Sequence, residues 1–289
     1  MEGRENIPQG VPVILAPNHC CTLHDAMVVL KANKNLTAFG ARADIFRNKT
    51  VREILTFLRM VPLARQRDSI SEMKENLHTF DEIVQCIDNG VNFCIFVEGA
   101  HRPERGMMPV KRGIFKICEI AHKKTGKEVA IVPVGLAYED FFDNMKDVVV
   151  RFGEPIYLSE HPSENPSELL KSRIMSLIQD YPQHRDFPTI VRILLSLLSL
   201  PLFAICTTLC CPILIATALL KPKFKDKAWT NTLRFAPKLI LLPLLLIIRG
   251  VIGGLCLPWW GTILLLVAAL YSQPIWYLLF NLYKSIFSK

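Results

Sequence analysis

The residues best suited to chemistry lie near the start of the chain, in Pro17-Asn18-His19-Cys20-Cys21-Thr22-Leu23-His24-Asp25. An imidazole titrates near neutral pH and can take a proton from a hydroxyl, so His19 is a candidate general base. A carboxylate a turn later can hold the other ring nitrogen and stabilise the imidazolium, and Asp25 is placed for that role. No protein nucleophile is needed if the substrate brings the hydroxyl. Two plainer readings compete: a histidine at a strand end that serves structure, and an Asp25 that caps a helix.

A second polar cluster is Phe96-Val97-Glu98-Gly99-Ala100-His101-Arg102-Pro103-Glu104-Arg105. Gly99 lets the backbone turn tightly, and the basic residues beyond it suit a phosphate. Lys111-Arg112-Gly113 adds cations near a predicted helix start, where backbone N–H groups also favour anions. A solvated loop with ordinary surface cations is the alternative. Arg65 and Arg67 follow a short extended run, and Ile131-Val132-Pro133-Val134 is apolar and reads as structural.

The elements that must position these residues can be read from periodicity and punctuation. Apolar runs at 11–16, 36–40, 61–64, 92–97, 129–135 and 148–152 predict strands. Amphipathic stretches at 26–34, 50–59, about 69–88, 111–124 and 166–180 predict helices between them. This alternation predicts an α/β domain, a mixed sheet flanked by helices, over residues 1–188. Both polar clusters then fall where a strand ends.

In this order the blocks resemble those of the glycerolipid acyltransferase family, typified by 1-acyl-glycerol-3-phosphate acyltransferases. The family's Asn-His…Asp, arginine, Phe-Pro-Glu-Gly and Val-Pro-Val blocks correspond to Asn18-His19…Asp25, Arg65 and Arg67, Phe96-Val97-Glu98-Gly99 and Ile131-Val132-Pro133-Val134. The resemblance implies transfer of a fatty acyl group from acyl-CoA or acyl-carrier protein to a lysophosphatidate-type hydroxyl, with no cofactor and no metal. It makes His19 the base and Asp25 its orienting partner. Asn18, Glu98 and Gly99 would lie in the acceptor site, with Arg65, Arg67, Arg102, Arg105 and Lys111 as candidate phosphate ligands. A helix N-terminus or the Gly99 loop would stabilise the oxyanion. Glycerol 3-phosphate as acceptor, and lipid binding on an inactive domain, are the alternatives.

This chain departs from the family pattern in three places. Five residues separate His19 from Asp25 where four are usual, which puts His24 at the expected Asp position. An imidazole brings no negative charge to an imidazolium, so Asp25 is the expected partner. Val97 replaces the usual Pro, and His101 stands where an Arg is expected. Only ten residues precede the first predicted strand, and a start codon further upstream is expected from that.

Composition places the rest of the chain. The protein has 289 residues, 51% of them hydrophobic, and a net charge of +8. Residues 190–289 hold ten basic side chains against one acid, so the first 189 are almost neutral. Positive charge confined to the most apolar third reads as membrane topology and excludes nucleic acid as the partner. Membrane lipid and the thioester donor are the expected partners. The nine cysteines are odd in number and lack metal-ligand spacing, as expected of free thiols in a reducing compartment.

Residues 189–289 are expected to form an all-α membrane region. Residues 193–220 carry no charge but include Pro201 and Pro212. The basic stretch 221–238 belongs on the cytosolic side by the positive-inside rule. With the first domain also cytosolic, residues 193–220 would have to enter and leave on one face. A re-entrant hairpin broken near Pro201 or Pro212 is therefore expected. Residues 239–283 can supply two passes, with a turn near 250–260, Arg249 close to it and the C-terminus cytosolic.

Overall fold

The computed structural model describes residues 1–63, 70–142, 147–181, 188–224 and 226–287. Residues 1–138 and 148–182 form one unit. Its sheet contains six strands: β1 (Val13–Pro17), β2 (Thr37–Arg42), β3 (Met60–Leu63), β4 (Asn92–Cys94), β5 (Ala130–Tyr138) and β6 (Val148–Phe152). The spatial order is β3-β2-β4-β1-β5-β6, parallel except for β6, which runs antiparallel to β5. The domain is therefore α/β with a mixed sheet, and helices α1 (Thr22–Asn33), α2 (Lys49–Phe57), α3 (Ile70–Asp88), α4 (Gly113–Thr125) and α5 (Pro166–Leu177) connect or flank its strands.

Strands β1 and β5 are buried along their whole length, which explains why they read as continuous apolar runs rather than alternating ones. Ile14, Phe93, Ile131, Ile83, Ile114, Ile117 and Ile174 meet in one core around them. Pro133 is tolerated in β5 because pairing with β6 begins only at Val134↔Phe152, so no ladder bond is lost at Pro133 on that side. The central position of β1, between β4 and β5, brings the carboxyl ends of β1 and β4 side by side. In open α/β sheets, sites form at such strand ends.

The second unit comprises residues 139–147 and 183–289. Its helices are α6 (Thr189–Leu220), α7 (Thr230–Cys256) and α8 (Trp259–Phe287). All three are long and apolar enough to cross a membrane. The break between α7 and α8 at Leu257–Pro258 lies within the stretch expected for a turn.

The re-entrant hairpin at 193–220 is not formed. Helix α6 runs unbroken for 32 residues with Pro201 and Pro212 inside it, a length of about 48 Å at ~1.5 Å per residue. Apolar helices absorb a proline when neighbouring groups satisfy the freed carbonyls. Pro212 frees the Thr208 carbonyl, and Arg249 Nη2, from α7, donates to the adjacent Leu209 carbonyl in the same turn. With α6 continuous, placing both of its ends on one membrane face by a hairpin loses its basis.

Candidate active site

Strand β1 ends at Pro17 and α1 starts at Thr22, and the intervening turn presents His19. Asn18 fixes this turn. Its Oδ1 accepts from the Leu136 N–H at 2.7 Å, and its Nδ2 donates to the Leu136 carbonyl at 3.2 Å. The amide thus continues the β1–β5 ladder by one side chain. The His19 N–H donates to Glu98 Oε1 at 2.8 Å, and the Arg102 N–H donates to the His19 carbonyl at 3.1 Å.

The His19 ring stacks on Phe96, with centroids 4.0 Å apart, and its Nδ1 lies 2.7 Å from Asp25 Oδ2. Asp25 is fully buried. Its Oδ2 also accepts from the Cys20 and Cys21 N–H groups, each at 2.7 Å, and its Oδ1 from the Tyr138 hydroxyl at 2.6 Å. Four donors thus surround this one carboxylate. A carboxylate on Nδ1 selects the tautomer in which Nε2 is the basic nitrogen. The longer spacing between His19 and Asp25 is absorbed in the turn, where Thr22 adopts a positive φ of 37°. His24 points instead to Tyr138, its Nδ1 3.4 Å from the hydroxyl, and burial lowers its pKa against the opposing pull of Asp25.

Glu98 is buried, and its second oxygen accepts from the Met108 N–H at 2.7 Å. Both carboxylate oxygens are therefore engaged by backbone, one on the His19 turn and one on the loop before α4. Burial raises its pKa, and the two backbone donors oppose that shift. Gly99 has φ +65°, and a Cβ there would meet Lys111 Cγ at 3.3 Å. Its N–H donates to the Phe96 carbonyl. The amides of Cys20, Cys21, Gly99 and Arg102 all have partners within the protein.

The cations are spread around this loop. Arg102 Nε pairs with Glu104 at 3.3 Å, and the Arg105 guanidinium lies 4.3 Å over the Tyr181 ring. The Lys111 N–H donates to the Val97 carbonyl at 2.8 Å, and its side-chain stem lies against Gly99. The His101 ring stands edge-on to His19, with centroids 5.4 Å apart. Arg65 and Arg67 lie outside the described residues. Tyr138 escapes a reading of motifs because it closes an apolar strand, 113 residues from the carboxylate it holds. Among the described residues no group of three or more His, Cys, Asp or Glu could hold a metal ion.

A family model described as acyltransferase matches residues 1–137, the stretch that supplies every one of these groups except Tyr138 and Tyr181. That match covers just under half of the chain. No curated protein matches the chain in sequence. Among solved structures it is similar to the 1-acyl-sn-glycerophosphate (LPA) acyltransferase PlsC from Thermotoga maritima, at 20% identity and a TM-score of 0.43, over 61% of this chain and 68% of that one. The matched domain thus presents a histidine coupled to a buried carboxylate at the carboxyl edge of its sheet.

Proposed function

We propose that the chain transfers a fatty acyl group from acyl-CoA or acyl-carrier protein to the hydroxyl of a lysophosphatidate-type acceptor. The observation that carries this reading is the His19 Nδ1–Asp25 Oδ2 contact at 2.7 Å, in a domain matched by the acyltransferase family model. His19 Nε2 removes the proton from the acceptor hydroxyl while Asp25 stabilises the imidazolium. The oxygen attacks the thioester carbonyl and forms a tetrahedral intermediate. The C–S bond then breaks, and the imidazolium returns the proton to the departing thiolate. Phe96, stacked on the imidazole, holds the ring plane through both transfers.

A phosphate-bearing acceptor is favoured by Arg102 and Lys111, which flank the Glu98–Gly99 turn beside His19. We assign Glu98 and Asn18 to shaping that pocket through the backbone rather than to contacting the acceptor. We assign the domain to the cytosolic face of a membrane, a reading supported by nine free cysteines in an apolar chain.

The test is acyl transfer by the full chain in detergent or lipid, with lysophosphatidate and glycerol 3-phosphate as paired acceptors and both thioester classes as donors. Transfer to lysophosphatidate that is lost in His19→Ala, with thermal unfolding unchanged, is the expected result. Transfer to glycerol 3-phosphate alone would reassign the acceptor. No transfer to either would make the domain a lipid-binding one.

A further inference from the structure

Helix α2 does not do what a crossover helix in a parallel sheet normally does. It joins β2 to β3, two parallel neighbours, and such a helix buries its apolar stripe on the sheet. In α2 no residue is buried. Val51, Ile54 and Leu58, at i, i+3 and i+7, form one stripe with exposures of 40%, 55% and 55%, and the adjacent Phe57 is 85% exposed. The fold nevertheless holds the helix in place: Asn48 caps it by accepting from the Val51 N–H, and Arg52 Nε donates to the Phe46 carbonyl. It is an ordered amphipathic helix whose apolar side no described element of the chain covers.

We infer that α2 is an interfacial helix that seats its Val51–Ile54–Phe57–Leu58 side in an anionic lipid surface. Charge selects this occupant. Arg47, Lys49, Arg52 and Arg59 surround the stripe and are exposed, against the single acid Glu53, a net +3 over thirteen residues. Apolar side chains bordered by cations match the boundary between acyl chains and anionic headgroups. A second copy of the chain would bring an identical +3 surface against this one, as any two-fold contact through the patch must. The chain already carries three helices of membrane-crossing length, so a bilayer is its neighbour. The helix leads directly into β3 and the arginine block, so this docking would hold the α/β domain itself, and not only the apolar helices, against the lipid. The inference rests on membrane residence and is independent of the acyl-transfer reading.

The test uses the full chain in nanodiscs with a photo-crosslinking phenylalanine analogue at position 57, and the same analogue at position 123 on α4 as an exposed control. Phosphatidylcholine discs are compared with discs containing phosphatidylglycerol. The expected result is a lipid adduct at position 57 several-fold above position 123, increasing with phosphatidylglycerol and lost when Ile54→Glu is added. Because α2 contributes no buried residue, Ile54→Glu should leave thermal unfolding unchanged. A cross-linked dimer, an adduct within the same chain, a yield equal to that at position 123, or indifference to phosphatidylglycerol would overturn the inference. The readout does not depend on activity, so its failure is distinct from failure of the catalytic proposal.

Discussion

Asp25→Asn separates the charge of the His–Asp pair from its geometry. The carboxylate accepts four hydrogen bonds, three on Oδ2 from His19, Cys20 and Cys21 and one on Oδ1 from Tyr138. An asparagine that places its oxygen at the Oδ2 position keeps three donors, and its Nδ2 faces a tyrosine hydroxyl that can turn to accept. Replacing charge-assisted bonds by neutral ones loses about 1 kcal/mol per bond. Relief from burying a charge offsets part of that loss, so the net change in stability should not exceed about 2 kcal/mol. Catalysis should respond differently, because the imidazolium then forms without a counter-charge. In a comparable His–Asp arrangement the amide lowers kcat on the order of 10⁴-fold, which is about 5 kcal/mol at ~1.36 kcal/mol per decade. The assay is thiol release from the acyl thioester at saturating acceptor, run beside thermal unfolding. His24→Ala is the comparison, since the His24 ring meets the Tyr138 hydroxyl at 3.4 Å and not the His19 ring; it should remain within about tenfold of wild type, far from the loss expected of a charge partner. A folded Asp25→Asn protein within tenfold of wild type, or His24→Ala falling equally far, would refute the reasoning.

Tyr138→Phe removes one donor from Asp25 and leaves its charge less shared. Thiol release should then slow by roughly fivefold, for a lost bond of about 1 kcal/mol, whereas a purely structural Tyr138 would change thermal unfolding alone. Glu98→Gln opposes an N–H to one of the two backbone donors, and stability should fall by about 1–3 kcal/mol. Burial raises the Glu98 pKa, so the folded chain binds that proton more tightly than the unfolded chain does. This contribution is fully present below the ordinary Glu pKa of about 4.3 and is lost as pH rises through the raised value. Wild-type Tm should therefore decline relative to the variant as pH increases through that window. A constant Tm difference would count against a buried, titrating Glu98.

Much of the α/β domain was legible because local signals agreed. Continuous apolar runs marked the fully buried β1 and β5, and Gly126, in the left-handed region, ends α4. Strand β4 is shorter than its apolar run, although the Ile95 and Val97 N–H groups still donate to Leu15 and Pro17 of β1 before the chain turns at Glu98. The hairpin expected at 193–220 follows from putting both flanking segments on the cytosolic side, with Pro201 or Pro212 as the break, whereas α6 is continuous. Whether a helix continues through proline depends on its packing partners, and Arg249, which reaches the Leu209 carbonyl beside the one Pro212 frees, is 40 residues away in the chain.

By itself the sequence determined which chemistry was available: an imidazole and a carboxylate within one turn, a Glu-Gly loop, and an apolar third carrying the positive charge. Spacing alone left His24 and Asp25 as rival partners of His19. Charge favoured Asp25, and the tertiary structure puts its Oδ2 2.7 Å from His19 Nδ1, a geometry that depends on where α1 begins and on donors brought in from other strands. Tyr138 reaches Asp25 from β5, and Leu136 of the same strand pins Asn18 and hence the turn. The same is true of Glu98, whose type suggests a substrate ligand and whose two backbone partners make it a clamp between loops. Residue type sets what a side chain can donate or accept, but its partners come from segments distant in sequence, and only packing of the sheet brings them within hydrogen-bonding distance.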